Sequence, residues 1–177
     1  MQPPHARPAE PSRPDWERLW EAHARGLLLY ARQWLGDRAS AEDAVQGGFV
    51  KFWRAWCSRG GAEPDVPLLF AAVRSEAVDL LKSSARRRAR EERAALEDAW
   101  WQEDPLVGSE RQAAVRAALE ELEPEQREVV VLRIWAGLSF ADIARTLGAN
   151  ENTVASRCRR GFEALARLLP EVCREPI

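Results

Sequence analysis

Apolar residues recur at spacings of three and four along most of this chain, which is the period of an α-helix. The first such pattern covers residues 19–34 and follows Asp15, a favourable helix N-cap. A second covers residues 45–56 and is predicted to begin at Ser40, with Asp43 three residues later as in a capping box. A third runs from residue 68 to about residue 88. Because no stretch alternates apolar and polar residues as a half-buried strand does, the chain is predicted to be all-α.

The second half of the chain shows the same period in shorter segments. A helix is predicted from about Arg111, and Pro124 is expected to begin the next, because proline is favoured at the first helical position. Ser139 and Asn150 are expected to cap two further helices, with a tight turn at Gly148 between them, as in a helix-turn-helix. The side chains predicted to be buried here are Val129, Val130, Leu132, Ile134, Phe140, Ile143, Ala144, Leu147, Val154, Cys158, Phe162, Leu165 and Leu169.

The last helix has a polar and cationic face opposite its apolar one. Residues placed at about 100° intervals put on that face Asn152, Thr153, Ser156, Arg159 and Arg160, with Arg157 at its edge. Short polar side chains at the start of a helix, followed by arginines, suit base edges and phosphates in a major groove. These six residues are candidate DNA contacts. The alternative is a solvated face with ordinary surface arginines.

The segment DAVQGGFVKFW, residues 43–53, contains two adjacent glycines inside a predicted helix. Each glycine costs about 0.8–1 kcal/mol relative to alanine in a helix interior. The residues predicted to face the core from this helix are Val45, Phe49, Phe52, Trp53 and Trp56. That register turns Gly47 and Gly48 outward, so alanine at both is expected to stabilise the fold by roughly 1–2 kcal/mol. Either the bare backbone lets a partner approach closely, or the pair is a weakness that tertiary packing tolerates.

The composition is that of a globular protein, with 46% hydrophobic and 31% charged residues among 177. The net charge of −2 conceals basic clusters at residues 82–90 and 157–160 and an acidic stretch at residues 91–104. Residues 1–14 are proline-rich and polar and are predicted to be a disordered tail. No apolar run suggests membrane insertion, no secretory signal is recognisable, and the three cysteines are expected to be reduced, which predicts a cytoplasmic protein.

Catalytic and metal-binding patterns are not recognisable in the sequence. One of the two histidines lies in the predicted tail, and His23 is expected to pack on an apolar helix face. We find no metal-ligand spacing, phosphate-binding glycine loop or nucleophile–base pair. The protein is therefore predicted to be no enzyme and to require neither a metal nor another cofactor.

Residues 121–169 closely resemble region 4 of bacterial sigma factors, which recognises the −35 promoter element. The resemblance rests on the helix-turn-helix and on the preceding L-x-P-x-x-R-x-V-x-x-L run, residues 122–132. It implies that the six candidate residues of the last helix contact −35 DNA and that this domain binds the flap of the polymerase β subunit. The family often has a basic residue where this chain has Ala155.

The first half of the chain resembles region 2 of the same family. Residues 41–56 resemble region 2.2, which packs against the clamp helices of the β′ subunit of core RNA polymerase. The residues that the resemblance assigns to this contact are Asp43, Gln46, Gly47, Val50, Lys51 and Arg54. Residues 67–90 resemble regions 2.3 and 2.4, which recognise and melt the −10 element. The implied contacts there are Arg74, Ser75, Lys82, Arg86, Arg87 and Arg88, with the pocket for an unstacked base in a loop at residues 58–67.

With only a short linker between these regions, the chain resembles the extracytoplasmic-function (ECF) group of sigma factors. The resemblance implies two small helical domains, joined by a flexible acidic linker, that bind core RNA polymerase and promoter DNA and are held by an anti-sigma factor. The predicted organisation is a tail at residues 1–14, region 2 at 15–88, a linker at 89–110, region 4 at 111–170 and a tail at 171–177. The acidic linker is a candidate mimic of nucleic acid within the polymerase.

Two other functions remain open from the sequence. A helix-turn-helix regulator of LuxR type would bind duplex DNA without polymerase. An interaction protein with a sigma-like fold would bind core polymerase but fail to open DNA. Co-elution with core polymerase, together with promoter-dependent run-off transcription, separates the three functions.

Overall fold

A computed structural model describes residues 15–35, 37–59, 64–90 and 110–169, without the side chains of residues 85–90 and 110–113. In this part of the chain all regular structure is helical, as predicted. The helices are α1 (Trp16–Arg32), α2 (Arg38–Ser58), α3 (Val66–Arg90), α4 (Glu110–Glu120), α5 (Pro124–Ile134), α6 (Phe140–Leu147) and α7 (Glu151–Leu168). Below, α1–α3 are called the first half and α4–α7 the second half. The predicted tails, and most of the predicted linker with its acidic stretch, lie outside the described residues.

Several predicted helix starts are confirmed. The side chains of Asp15, Ser139 and Asn150 each accept a hydrogen bond from a backbone amide two or three residues later, at 2.9–3.1 Å. Such a bond satisfies one of the amides that the first turn of a helix leaves without an intrahelical partner. Pro124 is the first residue of α5, as expected.

The predicted start of α2 at Ser40 is wrong. Asp37 is the N-cap, and its Oδ1 accepts a hydrogen bond from the Ser40 amide at 2.8 Å. The helix therefore begins at Arg38, and Ser40 lies in its first turn. The loop predicted at residues 58–67 is also shorter than expected, because α2 continues to Ser58 and α3 begins at Val66.

The first half is built around α2, which packs against α1 on one side and α3 on the other. Val45 and Phe52 are buried as predicted, and Trp16 of α1 packs edge-on against Phe52 at a centroid distance of 6.3 Å. Trp53 was predicted to face the core, but 49% of its surface is exposed. A helix that packs against neighbours on two sides buries more than one face, so its buried residues do not form a single apolar stripe. Trp53 points away from both α1 and α3.

The glycine pair is placed differently from the prediction. Gly48 is buried, and a Cβ there would lie 2.6 Å from the Cα of Val73 in α3. Gly47 is half-buried, and its Cβ would lie 2.8 Å from the carboxyl carbon of Glu76. The expectation that both glycines face outward is therefore wrong, because they lie where the backbones of α2 and α3 approach closely. Alanine at both positions is therefore no longer expected to stabilise the fold, because each added Cβ would lie within 3.0 Å of an atom of α3.

The second half is centred on α5 and α7. Val129, Val130 and Leu132 are fully buried, as predicted. Ile134 and Phe162 were predicted to be buried, but they are 48% and 42% exposed. Ile134 is the last residue of its helix.

Phe162 is displaced from the core by its neighbour. Gly161 is the residue that faces α5, and a Cβ there would lie 2.7 Å from Cγ2 of Val130. Because Gly161 has no side chain, α7 approaches α5 closely at this point. With Gly161 facing α5, the next residue, Phe162, points towards solvent.

The two halves pack on each other through α1 with α5 and α3 with α6. A Cβ on Gly26 of α1 would lie 3.0 Å from the carbonyl oxygen of Trp135 and 3.3 Å from the Cα of Ala136. One apolar cluster includes buried residues of both halves, among them Leu27, Phe70 and Ile143. Among the described helices, none is long and apolar enough to cross a membrane.

Candidate nucleic-acid and polymerase interfaces

The helix-turn-helix consists of α6 and α7, joined at Gly148. This residue has a φ of +62°, a left-handed conformation that favours glycine, and its amide donates to the carbonyl of Ala144. Arg133 fixes the connection from α5 to α6. Its Nη1 donates to the Leu138 carbonyl at 2.8 Å, and its guanidinium carbon lies 5.1 Å from the centroid of the Phe140 ring. The Arg133 contacts hold α6 against α5, and the turn at Gly148 sets the direction in which α7 leaves α6.

The polar face of α7 points away from the core. Its exposed residues are Asn152, Thr153, Arg159 and Arg160, and its half-buried ones are Ser156 and Arg157. Arg160 Nη2 lies 3.3 Å from Ser156 Oγ, and the Arg159–Glu163 pair is long, at 4.0 Å. Because exposed contacts of this kind contribute little free energy, the arginines are available to exchange them for phosphate or base contacts. The face has the chemistry of a major-groove reader.

Four of the six residues expected to bind core polymerase form one exposed stripe on α2. The stripe consists of Asp43, Gln46, Val50 and Arg54, which recur every three or four residues. Trp53 extends this stripe beside Arg54. An exposed tryptophan and valine among polar side chains is the composition of a protein-binding surface, since tryptophan is enriched at interface hot spots.

The other two residues of that set, Lys51 and Gly47, lie on the side of α2 that faces α3. Lys51 Nζ lies 2.7 Å from Glu76 Oε2 and 3.2 Å from Asp79 Oδ2. The hydrogen bond to Glu76 raises the pKa of Lys51. Lys51 and Gly47 therefore contribute to the α2–α3 contact in this structure.

The residues expected to bind −10 DNA differ in their surroundings. Ser75 and Lys82 are exposed on α3. Arg74 is half-buried, and its Nε donates to Glu128 Oε1 of α5 at 2.7 Å. Arg86, Arg87 and Arg88 belong to α3, but their side chains lie outside the described part of the chain.

A buried carboxylate of the second half joins two residues of the first half. Glu128 is 5% exposed, and its Oε1 accepts hydrogen bonds from the Tyr30 hydroxyl and from Arg74 Nε, both at 2.7 Å. Burial, together with the adjacent Glu128 carboxylate, raises the pKa of Tyr30 well above its usual value. The hydrogen bond to Glu128 raises the pKa of Arg74. The Arg74 guanidinium carbon also lies 5.4 Å from the centroid of the Trp34 ring.

Helix α6 contacts the first turn of α3 and the residue that precedes this helix. Arg145 forms an ion pair with Asp65. Thr146 Oγ1 lies 3.3 Å from the carbonyl oxygen of Pro67 and donates to the Asp142 carbonyl at 2.9 Å. The last residue of the loop expected to hold the unstacked base, Asp65, is thus in contact with the helix-turn-helix.

Two titratable side chains outside these surfaces, His23 and Cys158, pack among apolar residues. Among the described residues, no group of three or more histidine, cysteine or carboxylate side chains is placed to hold a metal ion. His23 packs edge-on against Phe70 at 6.2 Å, and burial lowers its pKa. Cys158 is buried in α7, and burial raises the pKa of its thiol.

Comparison with protein families identifies both parts of the chain. Residues 19–88 match the family model for sigma-70 region 2, and residues 112–165 match the model for sigma-70 region 4. An ECF RNA polymerase sigma factor of Mycobacterium tuberculosis, SigM, is 35% identical over 157 residues, covering 87% of this chain and 76% of the relative. The chain belongs to the ECF sigma factors.

Other relatives of this sigma factor carry the same family name. The ECF sigma factor BldN of Streptomyces coelicolor is 32% identical over 161 residues, covering 89% of this chain and 61% of that protein. Among solved structures, the sigma factor RpoE in complex with the anti-sigma factor NepR from Bartonella quintana has a TM-score of 0.70 at 23% identity, covering 87% of this chain and 96% of that one. CnrH in complex with the cytosolic domain of CnrY has a TM-score of 0.60 at 24% identity, covering 86% of each chain. These two likenesses show that the two-part helical fold is shared.

Sequence reasoning missed the residues of the sigma factor that join its halves. Glu128 directly precedes the buried run Val129–Val131. This position, next to an apolar run, is the sequence feature that could have indicated a buried carboxylate. Tyr30 lies within the apolar pattern of residues 19–34, and no local pattern pairs it with a residue 98 positions away. Trp53 was missed because its position fitted an apolar period.

Proposed function

We propose that this sigma factor directs core RNA polymerase to promoters by reading the −35 element with α7 and opening the −10 element at α3 and the segment before it. The observation that carries the proposal is the outward polar face of α7 in a chain that matches both sigma-70 regions. Arg157, Arg159 and Arg160 supply cations for phosphate or guanine, and Asn152, Thr153 and Ser156 supply short donors and acceptors.

The first half supplies the −10 surface and the surface for core polymerase. Arg74, Ser75, Lys82 and the basic end of α3 are proposed to bind the −10 strand. The exposed stripe on α2, with Trp53, is proposed to bind the clamp helices of β′. We assign Lys51 and Gly47 to the α2–α3 contact instead. The proposed domains are region 2 at residues 15–88 and region 4 at residues 111–170, the latter also binding the β flap.

Regulation and location follow from the same assignment. One of the solved structures named above is a complex of a sigma factor with an anti-sigma factor. We propose an anti-sigma factor for this chain as well, and a cytoplasmic location where core polymerase is found. The protein contributes no active site of its own in this proposal, since RNA synthesis uses the active site of the polymerase.

Transcription of genomic DNA with purified components tests the proposal. Core RNA polymerase from the source organism is incubated with its genomic DNA, with and without the full-length protein, and the 5′ ends of the transcripts are sequenced. The proposal expects a set of start sites that need the protein and share sequences near −35 and −10. It also expects co-elution of the protein with core polymerase.

Two outcomes would separate the alternatives. Binding to duplex DNA without any association with core polymerase would indicate a regulator of LuxR type. Association with core polymerase without new start sites would indicate an interaction protein of sigma-like fold. Either result would reject the proposed function.

A further inference from the structure

Two carboxylates lie on the side of α3 that also carries residues proposed to bind the −10 strand. Asp79 is four positions after Ser75 and three before Lys82, and all three are exposed. Residues three or four positions apart on a helix are neighbours on its surface. Glu76, three positions before Asp79, is half-buried on the flank that faces α2. A DNA strand that follows Ser75 and Lys82 therefore passes close to negative charge.

Negative charge at this place opposes the binding of DNA. Carboxylates repel phosphates, and two unit charges about 4 Å apart in water interact strongly enough to change an affinity roughly fivefold. A separated strand is held chiefly by cations along its backbone and by stacking of its bases. A surface that binds the −10 strand therefore requires these two carboxylates to be neutralised.

Lys51 of α2 reaches both carboxylates. Its Nζ lies 2.7 Å from Glu76 Oε2 and donates to Asp79 Oδ2 at 3.2 Å. Because the Asp79 side chain is 61% exposed, the second contact brings the ammonium to the edge of the proposed −10 surface. A single cation from the neighbouring helix thus offsets the charge of two carboxylates on α3.

Gly47 provides the space in which Glu76 lies against α2. A Cβ on Gly47 would be 2.8 Å from Cδ and 2.9 Å from Cγ of Glu76, so the Glu76 side chain fills the volume that a larger residue would occupy. Lys51 follows Gly47 by four positions, one turn further along the same side of α2. The missing side chain therefore brings the Glu76 carboxylate within reach of the Lys51 ammonium.

We propose that Lys51 is a positioning residue for promoter opening, which holds Glu76 and Asp79 against α2 and neutralises them. The phosphates of the −10 strand can then approach Ser75 and Lys82. Lys51 acts through the two carboxylates and makes no contact with DNA itself. The inference rests on the proposed function, and it gives Lys51 a role in opening the promoter that is separate from binding core polymerase.

Substitutions of Lys51 test the proposal in the holoenzyme of core polymerase and the full-length protein. Lys51→Met removes the charge and keeps a long, unbranched side chain, whereas Lys51→Arg keeps the charge. The matched control is Arg38→Met, which removes the cation of another exposed 2.7 Å ion pair of α2, formed with Glu42 of the same helix. The probe is a fluorescent promoter found by the start-site experiment above, double-stranded at −35 and single-stranded over −10. Anisotropy measures its affinity for each holoenzyme.

Lys51→Met is expected to weaken binding of this forked promoter at least about fivefold, because two carboxylates then face the strand without a neutralising cation. Lys51→Arg and Arg38→Met are expected to stay within about twofold of wild type, since one keeps the cation and the other removes an exposed pair of little energetic weight. Affinities for core polymerase and for a −35 duplex should change less than about threefold in all variants. Permanganate reactivity of −10 thymines in the duplex promoter should fall with the forked-promoter affinity, and circular dichroism in urea verifies the fold.

A second substitution separates neutralisation from a direct contact of Lys51 with DNA. Adding Asp79→Asn to Lys51→Met removes the more exposed carboxylate and is expected to restore the affinity to within about twofold of wild type, because residues in contact are energetically coupled. A direct contact between Lys51 and a phosphate predicts no recovery. The proposal would be overturned by no recovery in the folded double variant, by unchanged binding in Lys51→Met, or by an equal loss in Arg38→Met. Failure of the wild-type holoenzyme to open any promoter would instead reject the proposed function.

Discussion

Gly48 of α2 lies directly against the backbone of Val73 in α3. A Cβ on Gly48 would come within 2.6 Å of the Val73 Cα and 2.8 Å of its amide nitrogen. No real Cβ makes such contacts with backbone atoms, and the backbone of a buried helix cannot move aside cheaply. The absence of a side chain at this position therefore sets the distance between the two helices.

Gly48→Ala is predicted to destabilise the protein. Overpacking a tight contact costs about 1–3 kcal/mol, and we expect this cost to outweigh the gain of about 0.8–1 kcal/mol in helix propensity. Gly47→Ala is the matched control, because its Cβ would meet the flexible Glu76 side chain, and its effect should stay within about 1 kcal/mol. Urea denaturation followed by circular dichroism measures both. Equal stabilisation by the two substitutions would contradict the close approach.

Substitutions on the exposed stripe of α2 are predicted to weaken binding to core polymerase. Trp53→Ala and Arg54→Ala should each raise the dissociation constant about tenfold or more, because an interface is dominated by a few aromatic and arginine side chains. Lys51→Ala removes a cation one turn earlier on the side facing α3 and should change the affinity by less than about threefold. Fluorescence anisotropy with core polymerase measures the three affinities. A larger loss at Lys51 than at Trp53 would place the polymerase on the other side of α2.

Substitutions on α7 are predicted to separate affinity from specificity. Asn152→Ala should reduce the discrimination between bases at one base pair by about 1–3 kcal/mol. Arg159→Ala should weaken binding to all duplexes, and the slope of log affinity against log salt concentration should fall by about the amount that one phosphate contact contributes. Arg167→Ala is the control, since this exposed arginine lies in the last turn of α7, beyond the polar face. Titrations of −35 duplexes at several salt concentrations measure both properties. Unchanged binding in the first two variants would leave α7 as an ordinary solvated helix.

The N-cap of α2 is predicted to make stability depend on pH. Hydrogen bonds from Ser40 lower the pKa of Asp37 below its usual 3.8. A carboxylate whose pKa is lower in the folded state stabilises that state above the unfolded pKa, and this contribution disappears as the pH falls through the folded pKa.

Asp37→Ala should therefore cost about 0.5–2 kcal/mol at neutral pH and progressively less below about pH 4. Asp37→Asn, which keeps a capping oxygen without a titrating group, should remove most of the pH dependence of this site. Thermal unfolding of the three proteins between pH 7 and pH 3 measures the effect. A constant difference between wild type and Asp37→Ala over that range would contradict the assignment.

The parts of the fold that local chemistry determines were predicted well. Helix caps at Asp15, Ser139 and Asn150, the proline at the start of α5 and the turn at Gly148 depend on residues within one turn of each other. The polar face of α7 was also predicted, because a helix with one buried side has a single apolar period.

Apart from the N-cap of α2, which is Asp37 and not Ser40, the main errors occurred where distant parts of the chain meet. α2 is packed on two sides, so the single-face assumption placed Trp53 inside and Gly48 outside, the reverse of the structure. Glu128 and Arg74 are 54 positions apart, and no local pattern relates them. The contacts between the halves could not be predicted for the same reason, since local patterns define the helices of each half separately.

The hydrogen bond between Tyr30 and Glu128 spans 98 positions of the chain. A ribosome that adds about 5–20 residues per second needs roughly 5–20 seconds to make the residues between them. During synthesis, the residues of the first half are therefore complete before the second half exists. In each newly made molecule, Tyr30 and Arg74 are without their Glu128 partner until the second half has been made.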